Sequence, residues 1–307
     1  MNKPNIQEYI NMLGDIPPFL NKYLDLKILK RLKRVGYFCG MDYGSKHIYN
    51  FGYKISRYDH SLTTALITWK FTKDKRQTLL ALFHDVSTPC FSHVIDYMNK
   101  DYANQESTEE KTEEIIKSDD VLMEYLKQDH ILVDDIIDFK RYSVVDIDRP
   151  KLCADRLDGI ILTGLYWTKS LNIDDVSYIL NDVMITRNEA NEDEIAFKNK
   201  GIAKLVLKTS NLIDKYCSSK EDNYMMQLLS KITKLAIKKD IIKYEDLYYL
   251  TEDKVFKKFM NSNDSEIINL IEIFQTISKN DIPETELPNL KARILNPLVN
   301  KRRLKRM

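Results

Sequence analysis

The chain has 307 residues, and its 47 lysine and arginine residues nearly balance 46 aspartate and glutamate residues, giving a formal net charge of +1. This balance makes nucleic acid an unexpected partner, because nucleic-acid-binding domains usually carry a basic excess. The four scattered cysteines show no C-x-x-C spacing, which predicts free thiols in a reducing cytoplasm. The length permits one large domain or a core with an appended lobe.

Helical periodicity dominates the chain. Apolar residues recur at intervals of three or four in the series Leu62, Leu66 and Trp69, and again within 115–125, 157–165 and 202–213. Glycine and proline are few, with eight of each. The segment 40–44 indicates a loop or a short hairpin, and no long alternating series predicts a strand. We therefore predict a mainly α fold.

A polar, acidic segment at 188–194 is interpreted as a link between two parts of the chain. The prediction is a core over residues 1–187 and a C-terminal helical lobe over residues 195–307 that ends in a basic tail. The tail sequence 301–306 is typical of a frayed, solvated end. The N-terminus lacks a signal-peptide pattern, and no stretch approaches the roughly 20 apolar residues that span a bilayer. We expect a cytoplasmic protein without a membrane partner.

A histidine and an aspartate end an otherwise apolar helical run at His84 and Asp85. A carboxylate at the wall of a core is costly unless it is paired, hydrogen-bonded or bound to a cation. His60 opens the next helical run upstream, and Asp155 lies among small and apolar residues. These four residues form a candidate ligand set for one divalent metal, Mn, Fe, Zn, Ni or Mg. The alternative interpretation is a hydrogen-bonded core histidine.

The order of these four residues and their flanking segments resembles the HD-domain phosphohydrolases, most closely the deoxynucleoside triphosphate triphosphohydrolase (dGTPase-like) branch. The matching segments are collinear: 23–34, 57–62, 83–96, 154–158 and 292–299. The resemblance implies an HD-type helical bundle, a metal-dependent phosphohydrolase activity on a nucleotide or related phosphoester, and a homo-oligomer. The nearest family activity is that of a dNTP triphosphohydrolase.

Several positions depart from the family pattern. Thr88 stands where the family has a histidine implicated in catalysis, and Gln105 stands where it has a second histidine. Gly159 replaces a tyrosine, and Thr163 replaces an aspartate. Because these positions shape the nucleotide pocket and the approach to the phosphates, the sequence leaves the exact substrate and the choice of metal open.

Three residues are candidates for proton transfer. His93 follows an interruption of the helix that Pro89 predicts. An imidazole titrates near neutral pH, which suits protonation of a leaving group. Asp96 is three residues further on, on the same helix face, and could orient that imidazole. Glu106 is brought toward the metal by the resemblance and could hold a metal-bound water or orient His93. A core or surface role for His93 is the alternative.

The remaining assignments concern the substrate and the surface. Arg57 and Arg156 are candidate phosphate clamps, with structural salt bridges as the alternative. The predicted substrate-binding set also contains Tyr37, Thr88 and Gln105. His47 and His130 are predicted to be surface residues. The segment 106–114 is the densest acidic run of the chain. Apart from Glu106, its acidic residues are expected to form a solvated helix face beside Lys111 and Lys117; they are Glu109, Glu110, Glu113 and Glu114.

Two further function classes stay open at this stage. One is a catalytically altered nucleotide sensor or regulatory HD protein that keeps the metal pocket. The other is a dinuclear HD phosphodiesterase or oxygenase, which needs extra histidines between the His-Asp pair and the last aspartate, where only His93 and His130 occur. Walker A, G-x-G-x-x-G and helix-turn-helix signals are absent, so the sequence does not support a P-loop ATPase, a dinucleotide enzyme or a transcription factor.

Overall fold

A computed structural model of the chain describes residues 5–102, 107–284, 288 and 290–306. Within these ranges the fold is predominantly α, as predicted, with a single sheet of four short strands. The helices of the first part are α1 (Ile6–Leu13), α2 (Asn21–Leu24), α3 (Lys27–Leu32), α4 (Arg57–Thr72), α5 (Lys75–Phe83), α6 (Val94–Asn99), α7 (Thr112–Lys117), α8 (Asp120–Gln128), α9 (Asp134–Ile137), α10 (Ala154–Tyr166) and α11 (Ile173–Asp182).

The second part of the chain begins with the hairpin of the sheet. Its elements are β1 (Val183–Arg187), β2 (Asp193–Phe197), α12 (Lys200–Cys217), α13 (Lys220–Lys238), α14 (Asp246–Tyr249), α15 (Glu252–Met260), α16 (Ser265–Thr276), β3 (Leu298–Val299) and β4 (Arg302–Arg303). Across the described ranges, no helix has both the length and the apolar character needed to cross a bilayer.

Helix α4 is the central element, and it packs against α5 and α10. It begins at a capping box in which the Ser56 hydroxyl accepts from the Asp59 N–H and the Asp59 carboxylate accepts from the Ser56 N–H. This arrangement satisfies donors that a helix start leaves free. The helix ends at Lys73, which has left-handed backbone angles. The cap fixes the position of the first turn, which carries His60.

The hydrophobic core is continuous between the two parts of the chain. Buried apolar residues from Ile6 to Leu304 belong to one cluster. Helix α13 packs against both α6 and α16, so helices from the second half of the chain contact the segment that follows the His-Asp pair. The polar segment 188–194 forms the turn of the β1–β2 hairpin and the first residues of β2.

The basic tail completes the sheet, whose strand order is β1-β2-β3-β4. Strand β3 runs parallel to β2, and β4 returns antiparallel to β3. Arg303 is buried, and its guanidinium donates to both oxygens of Glu194 at 2.6 and 2.8 Å and to Glu189. The prediction of a frayed, solvated end is therefore wrong for Arg302–Leu304, because strand pairing, a buried ion pair and the buried Leu304 side chain fix this segment.

Candidate metal centre

Three predicted ligands meet where α4, α5 and α10 come together. His60 lies in the first turn of α4, His84 directly follows α5, and Asp155 is in the first turn of α10. His60 Nε2 is 3.0 Å from Asp155 Oδ1 and 3.3 Å from His84 Nε2, and the latter is 3.6 Å from Asp155 Oδ1. One ligand atom of each residue thus lies within 4.8 Å of the others, a group that could hold a metal ion.

The Nδ1 atoms of both imidazoles, which point away from this group, lie within hydrogen-bond distance of protein acceptors. His60 Nδ1 is 2.7 Å from Asp158 Oδ2, and His84 Nδ1 is 2.7 Å from the carbonyl oxygen of Ala81. When Nδ1 donates to these acceptors, the lone pair of each Nε2 points at the centre of the group. Such support by a carboxylate or a backbone carbonyl is the usual arrangement around metal-bound histidine. The donor set therefore fits a divalent cation.

Asp158 is a supporting residue that the sequence analysis named only as a flank of Asp155. It is fully buried, and it accepts hydrogen bonds from the Tyr9 hydroxyl at 2.5 Å and the Thr63 hydroxyl at 2.9 Å. Its signal in the sequence is the spacing of three residues from Asp155, which places both carboxylates on one helix face. The spacing does not reveal that Asp158 contacts His60, which lies in a different helix.

Negative charge is concentrated in the centre. Burial opposes the charged form of His60, yet hydrogen bonds with Asp155 and Asp158 raise its pKa to about 10. Burial likewise opposes the charged form of His84, whose pKa is nevertheless raised, chiefly by the neighbouring Asp85 carboxylate. The carboxylates therefore need a positive charge beside them, which either bound protons or a bound cation can supply.

Asp85, the fourth predicted ligand, lies next to the three-residue group and accepts hydrogen bonds from residues outside it. Its Oδ2 accepts from Arg57 Nη1 at 2.9 Å, and its Oδ1 accepts from the Thr88 hydroxyl at 3.0 Å. Asp85 Oδ2 is 3.9 Å from His60 Nε2 and 3.8 Å from His84 Nε2. Although burial opposes ionisation, the Arg57 guanidinium holds the pKa of Asp85 well below its ordinary value. A metal-ligand role for Asp85 stays a prediction.

A cavity of about 660 Å³ opens above the centre. The four predicted ligands line it, together with four residues predicted to act in substrate binding or proton transfer: Tyr37, Arg57, His93 and Arg156. Thr88 and Asp96 are buried and are not among the lining residues. Gln105 and Glu106 lie outside the described residues. A volume of this size is in the range of small-molecule sites.

His93 faces the cavity from the residue before α6. Its Nδ1 is 2.8 Å from Asp96 Oδ2, and Asp96 is fully buried. This distance allows Asp96 to orient the imidazole. The two remaining histidines, His47 and His130, are exposed, as predicted.

Arg57 and Arg156 both hold protein groups. Besides Asp85, Arg57 donates through Nε to the Ser92 hydroxyl at 3.1 Å. Arg156 donates to the backbone carbonyl of Lys151 and, at 2.9 Å, to that of Ile147. Arg156 also forms an ion pair with Asp146 at 3.6 Å, so both arginines have the structural salt bridge that was the alternative, although both guanidiniums still line the cavity.

Two other arginines of the cavity wall, Arg149 and Arg293, were missed by the sequence analysis as anion-binding candidates. Within the described ranges, neither makes a hydrogen bond or an ion pair. Burial and the like charges of Arg156 and Arg293 lower the pKa of Arg149 to about 10. Arg149 comes from the irregular segment before Asp155 and Arg293 from the segment before β3, so only the tertiary fold brings them together. Burial opposes the charged form of Arg293, yet its pKa is raised by Cys217 and by the carboxylates of Asp222 and Asp214. Arg149 is therefore the arginine without a compensating anion, and an anionic ligand would supply one.

Glu109 differs from its acidic neighbours. It stands at the mouth of the cavity, and desolvation, together with the carboxylates of Asp146 and Asp85, raises its pKa to about 7. A carboxyl with such a pKa can exchange protons near neutral pH. All four acidic residues of this run are exposed, as the sequence predicts, although Glu109 and Glu110 lie in the turn before α7. Glu113 and Glu114 pair with lysines.

A second group of possible ligands shares Asp155 with the first group. It consists of Asp146, Cys153 and Asp155, whose ligand atoms also lie within 4.8 Å of one another. Burial raises the pKa of the Cys153 thiol to about 12. Because a metal binds the thiolate, this group is less suited to a cation than the group formed with His60 and His84.

Gly159 has a structural role beside the centre. A Cβ at this position would lie 3.1 Å from the Tyr37 hydroxyl. The Tyr37 ring also contacts His60, with 5.1 Å between the ring centroids, and it lies 5.1 Å below the Arg57 guanidinium carbon. The absence of a side chain at 159, one of the departures from the family pattern, leaves room for Tyr37 in the cavity wall.

Comparison with known proteins adds a distant relative and no activity. No family model matches the chain. The chain is similar to the uncharacterized protein YdhJ of Bacillus subtilis (strain 168), with 25% identity over 270 residues that cover 83% of this chain and 78% of that protein. Because that protein is itself uncharacterized, the functional argument depends on the geometry of the site.

Proposed function

We propose that the protein is a metal-dependent phosphohydrolase that acts on a nucleotide or a related phosphoester, with a dNTP triphosphohydrolase as the nearest activity. One observation carries the proposal: a ligand group of His60, His84 and Asp155 faces the same cavity as Arg149, which makes no hydrogen bond or ion pair within the described ranges. The resemblance to HD-domain phosphohydrolases supports it. From that resemblance we also propose a homo-oligomer, and from the scattered cysteines a cytoplasmic location.

The charges in the cavity favour a phosphate ligand. The acidic ligand group needs a cation, whereas Arg149 has no anionic partner within the described ranges. A phosphate ester next to a bound metal would meet both needs, because guanidinium groups form paired hydrogen bonds with phosphate oxygens. A neutral or cationic substrate would leave Arg149 uncompensated beside the like charges of Arg156 and Arg293.

Each residue of the site has a distinct task in this proposal. His60, His84 and Asp155 would hold the metal, with Asp158 and the Ala81 carbonyl fixing the two imidazoles. When bound, the metal would supply electrophilic activation of the phosphate and a more acidic water.

The phosphate and the protons are handled by other side chains. Arg149 would bind phosphate oxygens that do not contact the metal. His93, oriented by Asp96, would protonate the leaving group. Glu109 can take up or release a proton at the mouth of the cavity, because its pKa is about 7.

A second candidate function is a nucleotide sensor without turnover. The contact of Thr88 favours it, since the hydroxyl at the position of a family histidine donates to Asp85 and is buried. That position therefore offers no group that titrates near neutral pH. The sensor would bind the same ligand class at the same residues.

The test is a turnover assay on the protein loaded with Mn²⁺, with nucleoside mono-, di- and triphosphates of all common bases. The expected result is release of a phosphate species that is lost in His84→Ala and retained in His130→Ala, a matched variant at an exposed histidine. Arg149→Met should raise KM more than it lowers kcat. Nucleotide binding without turnover would establish the sensor, and a metal-loaded protein that neither binds nor cleaves nucleotides would overturn both functions.

A further inference from the structure

One wall of the cavity is aromatic. The rings of Phe38 and Phe51 are nearly parallel, with centroids 4.2 Å apart and an interplanar angle of 1°. Trp167 packs edge-on against both rings, at 5.8 Å from Phe51 and 6.0 Å from Phe38. All three residues line the cavity that contains the metal centre. The cavity therefore joins a charged end to an aromatic recess, which suits a ligand with phosphates at one end and a flat ring at the other.

A buried carboxylate, Asp222, stands beside this recess. It lies in the first turn of α13 and lines the cavity. The Tyr49 hydroxyl donates to Asp222 Oδ1 at 2.7 Å, and the Tyr49 ring stacks on Phe51 with centroids 5.3 Å apart. Within the described ranges, Asp222 forms no ion pair, although Arg293 lies near enough to favour its ionised form. Its carboxylate is thus held next to the aromatic wall by Tyr49 and keeps acceptor capacity on Oδ2.

We propose that the recess binds the nucleobase and that Asp222 selects bases with an exocyclic amino group by accepting a hydrogen bond from it. This inference rests on the proposed function. Asp222 would be a specificity-determining residue.

The preference for an amino group follows from the chemistry of the carboxylate. An ionised carboxylate only accepts hydrogen bonds, so it pairs with an N–H group and repels a keto oxygen. Burial raises the pKa of Asp222 to about 7, and the test is therefore made at pH 8, where the carboxylate is mainly ionised. Hydrogen bonds to charged groups contribute roughly 1.5–3 kcal/mol, which corresponds to roughly 10- to 100-fold in affinity.

The experiment measures binding of matched nucleotide pairs to the Mn²⁺-loaded protein by titration calorimetry at pH 8. The ligands are imidotriphosphates of adenosine and inosine, and of cytidine and uridine. In each pair an amino group becomes a keto oxygen and the adjacent ring nitrogen becomes an N–H donor, so a carboxylate at the exocyclic position meets the keto oxygen of the second member. The wild-type protein should bind the amino member at least about 10-fold more tightly in each pair. Equal affinities, or a preference for the keto members, would overturn the inference.

The Asp222→Asn variant gives a sharper result. Tyr49 would still donate to the amide oxygen, which turns the amide NH₂ group toward the base and reverses the preference to the keto members. Asp214→Asn is the matched control, because Asp214 also lies in the field of Arg293 but does not line the cavity. It should retain the wild-type preference. If Asp222→Asn does not fold, the wild-type pairs alone decide.

The outcomes separate this inference from the proposed function. Tight binding of all four nucleotides without an amino preference would refute the role of Asp222 and leave the phosphohydrolase proposal standing. Failure of the metal-loaded wild-type protein to bind any of the four would overturn the proposed function and the base recess together.

Discussion

Replacing Glu252 with glutamine should change how the stability of the protein depends on pH. Glu252 lies in the first turn of α15 and is fully buried. Its Oε1 accepts from the Phe91 N–H at 3.0 Å. Burial raises its pKa from the ordinary value of 4.5 to about 7, even though the N–H groups of Phe91 and Gly36 favour the ionised form.

The sign follows from proton binding in the two states. Between pH 4.5 and about 7 the folded protein holds a proton on Glu252 that the unfolded chain has released. The free energy of unfolding therefore falls as the pH rises through this window. Each pH unit of difference corresponds to about 1.36 kcal/mol, so the interval from pH 5 to pH 8 should cost about 2–3 kcal/mol. Glutamine has no proton to release and removes this contribution.

Urea unfolding followed by circular dichroism at pH 5, 6, 7 and 8 tests the prediction. The decisive quantity is the stability of Glu252→Gln minus that of the wild-type protein. A fixed packing effect of the substitution cancels when this difference is compared between pH values. The difference should move by about 2–3 kcal/mol in favour of the variant from pH 5 to pH 8. Parallel curves for the two proteins would refute the reasoning.

Three further predictions concern the metal centre, the tail and a tight turn. Asp158→Asn should weaken Mn²⁺ binding by about 10- to 100-fold, because His60 loses its carboxylate partner; a Mn²⁺ titration with unchanged affinity would contradict this. Arg303→Met should lower the free energy of unfolding by about 3–5 kcal/mol, since it leaves the Glu194 charge buried and unpaired; a loss below about 1 kcal/mol in urea unfolding would count against it. Gly40→Ala should cost about 2 kcal/mol, measured by thermal unfolding, because Gly40 has φ +75° and a Cβ there would lie 2.5 Å from a ring carbon.

The sequence was sufficient for the helices that carry the predicted ligands. The apolar periodicity after His60 and before His84 placed each histidine at a helix end, and α4 and α5 have these positions in the structure. Both signals are local, because they depend on residues within one or two helical turns. The approach of Asp155 to these histidines followed from the resemblance, and the structure brings the three side chains together.

Partners distant in the sequence could not be assigned in this way. Arg57 was expected at a phosphate, and the structure pairs it with Asp85, which is 28 residues away. Arg149 and Arg293 come from irregular segments without periodicity, so no local pattern marked them as neighbours. Side-chain partners in such segments depend on the tertiary fold.

The tail shows the same limit for charge patterns. A run of basic residues usually remains in water, because each charge is costly to bury. Here Glu194 is fully buried in β2 and needs a cation, and Arg303 supplies it from 109 residues away. Glu194 is too far from the tail in the sequence for any local pattern in the tail to reveal this ion pair.

Metal binding and folding are linked through Asp158. Helices α1, α4 and α10 meet at this fully buried carboxylate, which accepts from Tyr9 and contacts His60 on its outward side. The inward side of His60 faces Asp155 and His84. A cation in that group would bind the folded chain and find no comparable site in the unfolded one, so it would stabilise the packing of these three helices. The polar residues that the sequence predicts as a reactive centre therefore also help to fix the relative positions of α1, α4 and α10, because their hydrogen bonds join these helices.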